Sequence, residues 1–264
     1  MFNSFNKKEE VINLDHPDKL PGCSKQMIES RPVMELDIPT GCYVSIDPPC
    51  EPGALGAREF FQKYGYMIIR GIWDPEEFQE DMNDLPKERG QYSYRGKIDK
   101  FVINPEIQVQ NSLSRYNHPK YKYAHSQIRM ILEDILGEKL YNTYYFDRFY
   151  FVNQRLFRHT DRNSCEISLT YQINTNSKEP WGICFQTPDG EEKYVNLNNG
   201  DAVLYKGCDI EHWREPLKSR YNLVERLIRK VKKIEDDTFH HQIFFHYVLA
   251  NGPRSHFAGD ISCL

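Results

Sequence analysis

"RHTDRNSCEISLTYQI", residues 158–173, sets a histidine and an aspartate two positions apart, just ahead of a run in which apolar and polar residues alternate. In "CEISLTYQI", Cys165, Ile167, Leu169, Tyr171 and Ile173 fall on one side of an extended chain. Glu166, Ser168, Thr170 and Gln172 fall on the other, as in a sheet strand with two different faces. With the preceding piece also extended, His159 and Asp161 project to the same side, because the strand period is two. Two donors of different charge can then reach one ion. Fifty residues further on, "GDAVLYKGCDIEHWREPL" (200–217) places a Gly-Asp turn and a strand ahead of His212, which completes an H-x-D-x50-H pattern. Two imidazoles and a carboxylate on one face of an octahedral divalent metal leave three adjacent positions open, the ligand set of non-haem Fe(II) oxygenases. An α-keto acid can fill two of those positions and O2 the third.

The texture around this pattern predicts the fold. "AREFFQKYG" (57–65) reads as a short helix closed by Gly65, and "YMIIRG" (66–71) as a compact apolar strand. "DPEEFQEDMNDL" (74–85) has Asp74 as N-cap, Pro75 at the first helical position and Glu77 at the capping-box position, which predicts a helix. Ile128, Ile131, Leu132 and Ile135 recur at helical spacing before Gly137. Short strands with turns between them follow: "NTYYFDRFYFV", "CEISLTYQI", "WGICF", "EKYVNL", "DAVLY" and "HQIFFHYVL". Helices followed by many short antiparallel strands predict an α+β fold with a jelly-roll core. One helical stripe, Val224, Leu227, Ile228 and Val231, interrupts the last strands as an insertion over about 218–234, and its basic residues read as a solvated face.

The 264 residues accommodate one domain over 56–264 preceded by a polar, proline-dotted arm over 1–55, in which "GCYVSI" suggests a short strand. Charged residues make up 27% and the net charge is −4, which suits a soluble protein and implies no nucleic-acid partner. No apolar run is long enough to span a membrane, and "MFNSFNKKEEVINLDHP" has no signal-peptide core. The seven cysteines, Cys23, Cys42, Cys50, Cys165, Cys184, Cys208 and Cys263, are odd in number and form no C-x-x-C pair. A reducing, cytoplasmic setting without membrane contact is expected.

On these residues, the segment from about 141 to 252 resembles the double-stranded β-helix (a distorted, cupin-like jelly roll) of Fe(II)- and 2-oxoglutarate-dependent dioxygenases. Within that superfamily it is similar to the phytanoyl-CoA and prolyl-hydroxylase branches, and "FFQKYGYMIIRGIWDPEEF" (60–78) looks like the helix-strand-helix entry they often carry. The resemblance implies Fe(II) held by His159, Asp161 and His212, with 2-oxoglutarate and O2 as cosubstrates. It further implies hydroxylation of a small-molecule C–H with release of succinate and CO2. Asp161 argues against halogenation, since halogenating relatives carry a small residue at that position.

The family usually places an Arg or Lys about ten residues after the distal histidine to bind the far carboxylate of 2-oxoglutarate. Here the last strand begins "HHQIFFHYV" instead. Arg214, in phase with His212, is the favoured substitute, His240 or His241 the next, and Arg148, Arg155 and Arg158 remoter ones. Arg214 could instead pair with Glu211 or Glu215. That departure leaves open a cupin-type metal enzyme that does not use 2-oxoglutarate, and a non-catalytic jelly-roll binding protein. Cys208, Tyr205 and Trp213 read as structural, and "NGPRSHFAGD" (251–260) as a surface loop able to cover the pocket.

Overall fold

The computed structural model describes residues 36–37, 44–45, 55–94, 101–102 and 108–260. Most of the arm, with Cys23, Cys42 and Cys50, lies outside the described residues, as does Cys263. Three two-residue strands come first: β1 (Leu36–Asp37), β2 (Val44–Ser45, within "GCYVSI") and β3 (Leu55–Gly56). Helix α1 (Ala57–Tyr64) ends where Gly65, at φ 75°, donates its N–H to Phe61 O. The left-handed conformation at Gly65 favours glycine, and a Cβ there would press on the end of the Ile210 side chain. Strand β4 (Tyr66–Ile69) follows directly.

The helix predicted at 74–85 does not form. Two 3-10 turns, Pro75–Glu77 and Met82–Asp84, take its place. Asp74 caps Glu76 N, yet Glu77 accepts from Trp73 Nε1 at 2.8 Å instead of completing a capping box. Glu80 turns inward to Arg115 at 2.6 Å. Tertiary pairing of these carboxylates outweighs local helix propensity.

Strands β5 (Gly90–Ser93), β6 (Phe101–Val102) and β7 (Leu113–Tyr116) lead to helix α2 (Lys122–Leu136), which Gly137 closes at φ 64°. Eight strands then build the body: β8 (Leu140–Phe151), β9 (Leu156–His159), β10 (Ile167–Thr175), β11 (Ile183–Gln186), β12 (Glu192–Val195), β13 (Ala202–Lys206), β14 (His212–Arg214) and β15 (Phe239–Leu249). The larger sheet has the order β1-β4-β13-β10-β15-β8-β7-β5-β6, and the smaller β12-β11-β14-β9. The eight strands pair antiparallel within each sheet and cross repeatedly between the two. The architecture is an α+β double-stranded β-helix.

Strand alternation sorts the side chains. Leu169, Tyr171 and Ile173 join Ile243, Phe245 and Tyr247 against Phe60, Phe61, Ile128 and Leu132 of the two helices. Ser168, Thr170 and Gln172 therefore face the space between the sheets, together with Tyr144, Phe146, Tyr150 and Phe244. Cys165 departs from the one-face expectation. It sits in a 3-10 turn, Asn163–Cys165, and packs on the interior side beside Tyr144. Helix α3 (Leu223–Val231) forms between β14 and β15 as expected, with a capping box of Asn222 and Glu225.

Candidate metal centre

β14 pairs with β9 so that His212 stands opposite His159. The two imidazole rings lie 4.4 Å apart between centroids. Asp161 follows β9 in a loop fixed by its N–H donating to Gly207 O at 2.8 Å. His159 Nε2 and His212 Nε2 lie 3.6 and 3.5 Å from the same oxygen, Asp161 Oδ1. One ligand atom from each residue fits within 4.8 Å of the others.

Hydrogen bonding fixes the tautomers. His159 Nδ1–H donates to Phe157 O at 2.7 Å and His212 Nδ1–H donates to Ile210 O at 3.0 Å. In the neutral form of each ring Nε2 is then the bare nitrogen, on the side of the carboxylate. Both Nε2 atoms stand beyond ordinary hydrogen-bond length from it, as ligands around a common ion would. Gln108 Nε2, which the sequence reading missed, donates to His159 Nε2 at 2.8 Å and marks one side of the site.

Asp161 Oδ2 is anchored separately. Ser168 Oγ donates to it at 2.8 Å, and His246 Nδ1 lies 3.0 Å from the same hydroxyl. Gly207 closes the back: a Cβ there would stand 2.5 Å from both Asp161 Oδ2 and Ser168 Oγ. Asp161, Cys165 and His246 form a second three-donor group sharing this aspartate. The C-terminal loop straps the same region, with Arg254 on Glu166 at 3.2 Å and Asp260 on Arg162 at 3.4 Å.

Arg214 enters the interior behind His212. It is 2% exposed and donates from Nη1 to Trp181 O, while its Nε has no hydrogen-bond partner. Glu211 pairs with Arg158 instead, and Arg214 has no carboxylate partner among the described residues. Burial pushes this guanidinium down to about 10. His240 lies nearby, its ring 5.0 Å from that of Trp181, and neither of its nitrogens is hydrogen-bonded. Both amide atoms of Gln242 are likewise without partners. His241, the adjacent residue on β15, points to the opposite face, where Nε2 meets Asp147 at 2.7 Å and the ring stacks on Phe149 at 3.6 Å. The site candidates thus divide: His159, Asp161 and His212 converge, Arg214 and His240 face the same interior, and His241 stands apart.

Of the remoter candidates, Arg148 lies inside, donating to Ser114 Oγ and Tyr150 OH. Arg155 and Arg158 stack outside on Phe157 and Trp213. Cys165, Cys184 and Cys208 are free thiols. Burial pushes Cys208 up to about 11, which suits a structural role.

No family model and no curated protein matches this chain. Solved structures do resemble it. One is a Pseudomonas putida prolyl-4-hydroxylase, with 13% identity, a TM-score of 0.46 and coverage of 72% of this chain and 96% of that one. A second is HygX from Streptomyces hygroscopicus with nickel, 2-oxoglutarate and hygromycin B bound, with 10% identity, a TM-score of 0.49 and coverage of 73% and 86%. A third is a 2OG-Fe(II) oxygenase family oxidoreductase from Burkholderia pseudomallei, with 11% identity, a TM-score of 0.48 and coverage of 79% and 95%. The likeness is one of fold.

Proposed function

We propose that this protein is a non-haem Fe(II)- and 2-oxoglutarate-dependent oxygenase that hydroxylates an unactivated C–H of a small organic substrate. The observation that carries the reading is the convergence of His159 Nε2 and His212 Nε2, at 3.6 and 3.5 Å, on one oxygen of Asp161, each ring held by its Nδ1–H on a backbone carbonyl. His159, Asp161 and His212 fit a facial set of iron ligands. Iron bound there, with 2-oxoglutarate and O2, supplies oxidative decarboxylation to succinate and CO2 coupled to insertion of one oxygen atom into the substrate C–H bond.

The chain's own residues would do the rest. Arg214 offers a buried guanidinium with no carboxylate partner among the described residues, and a buried cation of this kind favours a dianionic ligand. It would hold the far carboxylate of 2-oxoglutarate, with His240 lending a neutral donor beside it, because burial keeps that imidazole well below its ordinary pKa. His241 is not assigned to the cosubstrate, because Asp147 and Phe149 engage it on the other side of the sheet. Tyr144, Phe146 and Phe244 wall the interior and exclude water from it.

An anaerobic titration tests the reading. Fe(II) with 2-oxoglutarate should give a visible charge-transfer band that His212→Ala abolishes. Arg214→Ala should retain iron and weaken 2-oxoglutarate binding about tenfold to a hundredfold, the range for loss of a charged hydrogen-bonding partner. Iron binding without the band would favour a metal enzyme that does not use 2-oxoglutarate. No metal binding would overturn the proposal.

A further inference from the structure

Helix α3 turns its apolar stripe away from the protein. Leu223 is 81% exposed, Val224 67%, Leu227 63%, Ile228 48% and Val231 76%, and Ile234 just beyond is 48% exposed. The half-buried helix positions are Glu225 and Arg229, on the opposite face. Arg229 lies over the Tyr221 ring at 4.1 Å, while Glu225 closes the capping box. An amphipathic helix ordinarily does the reverse, burying its apolar face. Singly exposed apolar residues are unremarkable on a protein surface, but five exposed aliphatic side chains on one face of a nine-residue helix mark a contact surface.

Charge indicates what this face meets. Arg226, Lys230, Lys232 and Lys233 flank the stripe, and among the described residues no ion pair or side-chain hydrogen bond engages them. Of the nearby acidic groups, Asp236 accepts from Ser219 and Thr238, and the exposed Asp237 accepts from Tyr221 and pairs with Arg220 at 3.6 Å, which leaves exposed Glu235 as the one acid among four cations next to the stripe. Two copies laid face to face would bring like charges together. An exposed aliphatic helix face bordered by long cationic side chains instead matches a sheet of anionic headgroups over hydrocarbon, into which the aliphatic groups dip while the cations stay at headgroup level.

We infer that α3 docks this protein onto anionic lipid surfaces, lying in the plane of the interface. This departs from the sequence expectation of no membrane contact. Among the described residues no helix is long and apolar enough to cross a membrane, so the contact is peripheral.

Vesicle co-sedimentation of the full chain tests this. Binding should be strong to vesicles of phosphatidylcholine mixed with phosphatidylserine, weak to phosphatidylcholine alone, and reduced by salt. Leu227→Ser with Ile228→Ser should abolish it, and Lys230→Ala or Lys232→Ala should each weaken it about fivefold. All four positions are exposed, so the circular dichroism and Fe(II) affinity of these variants should be unchanged, which keeps the outcome separate from that of the proposed chemistry. Equal sedimentation with both vesicle types, or none with either, would overturn the inference. A dimer in gel filtration that Leu227→Ser dissociates would assign the face to a second copy. Selective capture of an acidic amphipathic peptide by a vesicle-inert protein would assign it to a protein partner.

Discussion

Asp161 depends on three residues from separate parts of the chain. Ser168 holds Oδ2, His246 orients Ser168, and Gly207 leaves the space that any larger residue would fill. With one carboxylate oxygen fixed in this way, the other is left facing both Nε2 atoms. Partners one bond removed from a ligand commonly account for about ten- to a hundredfold in metal affinity. Ser168→Ala should therefore weaken Fe(II) or Co(II) binding by that factor in calorimetry while the fold persists. A change of less than about twofold would refute the orienting role. His159, Asp161 and His212 could be read from the sequence as a candidate set because the H-x-D pair and the distal histidine are visible in their spacing, although Asp161 takes its place from the loop after β9 and not from the strand period. Ser168 and Gly207 could not, because each acts through a contact between distant segments, and glycine carries no chemistry of its own to flag it.

At the scale of elements, one buried carboxylate joins three neighbouring strands. Asp147 on β8 receives Arg115 of β7 through both Nε and Nη2, His241 of β15 at 2.7 Å, and Tyr121 OH at 3.1 Å. Glu80 supplies the second carboxylate for Arg115 and is 18% exposed, whereas Asp147 is wholly buried. Removing one partner of a buried ion pair leaves an uncompensated charge and costs about 3–5 kcal/mol. Asp147→Asn should lower the unfolding free energy by that amount, read as a fall in the urea midpoint at unchanged slope. Glu80→Gln, at the wetter edge, should cost about 1 kcal/mol. Equal costs for the two would show that burial does not set the energy. The same cluster accounts for the misread 74–85 segment. Its acidic residues satisfy local capping rules, but the side chains of Glu77 and Glu80 are drawn to Trp73 and Arg115, and a one-dimensional pattern carries no information about those partners. Helices α1 and α2 were legible because their glycine stops and apolar stripes agree with the packing, whereas the stripe of α3 was legible as a helix but not as an outward-facing one.

Across the whole molecule, the helix layer and the barrel meet around a histidine held neutral. His125 on α2 donates from Nε2 to His246 O at 3.0 Å and is enclosed by the rings of Tyr145, Phe245 and Tyr247. Burial pushes its pKa down to about 3, the backbone acceptor offsetting this only in part and the nearby His246 and Arg129 adding to it. The folded value lies below the ordinary 6.5, so the unfolded chain binds the proton first as pH falls. The stability that neutral His125 contributes is complete above about pH 6.5 and is lost progressively below it, by about 2 kcal/mol at pH 5. Asp147, held low in the folded state, adds a further loss only below about pH 4. His125→Phe keeps the ring packing and removes the titrating group. It should cost about 1 kcal/mol at pH 7.5 through the unmet His246 carbonyl. Between pH 7 and 5 its unfolding free energy should fall less steeply than that of the wild type. Parallel curves for the two proteins in that window would show that the proton uptake accompanying acid destabilisation occurs elsewhere.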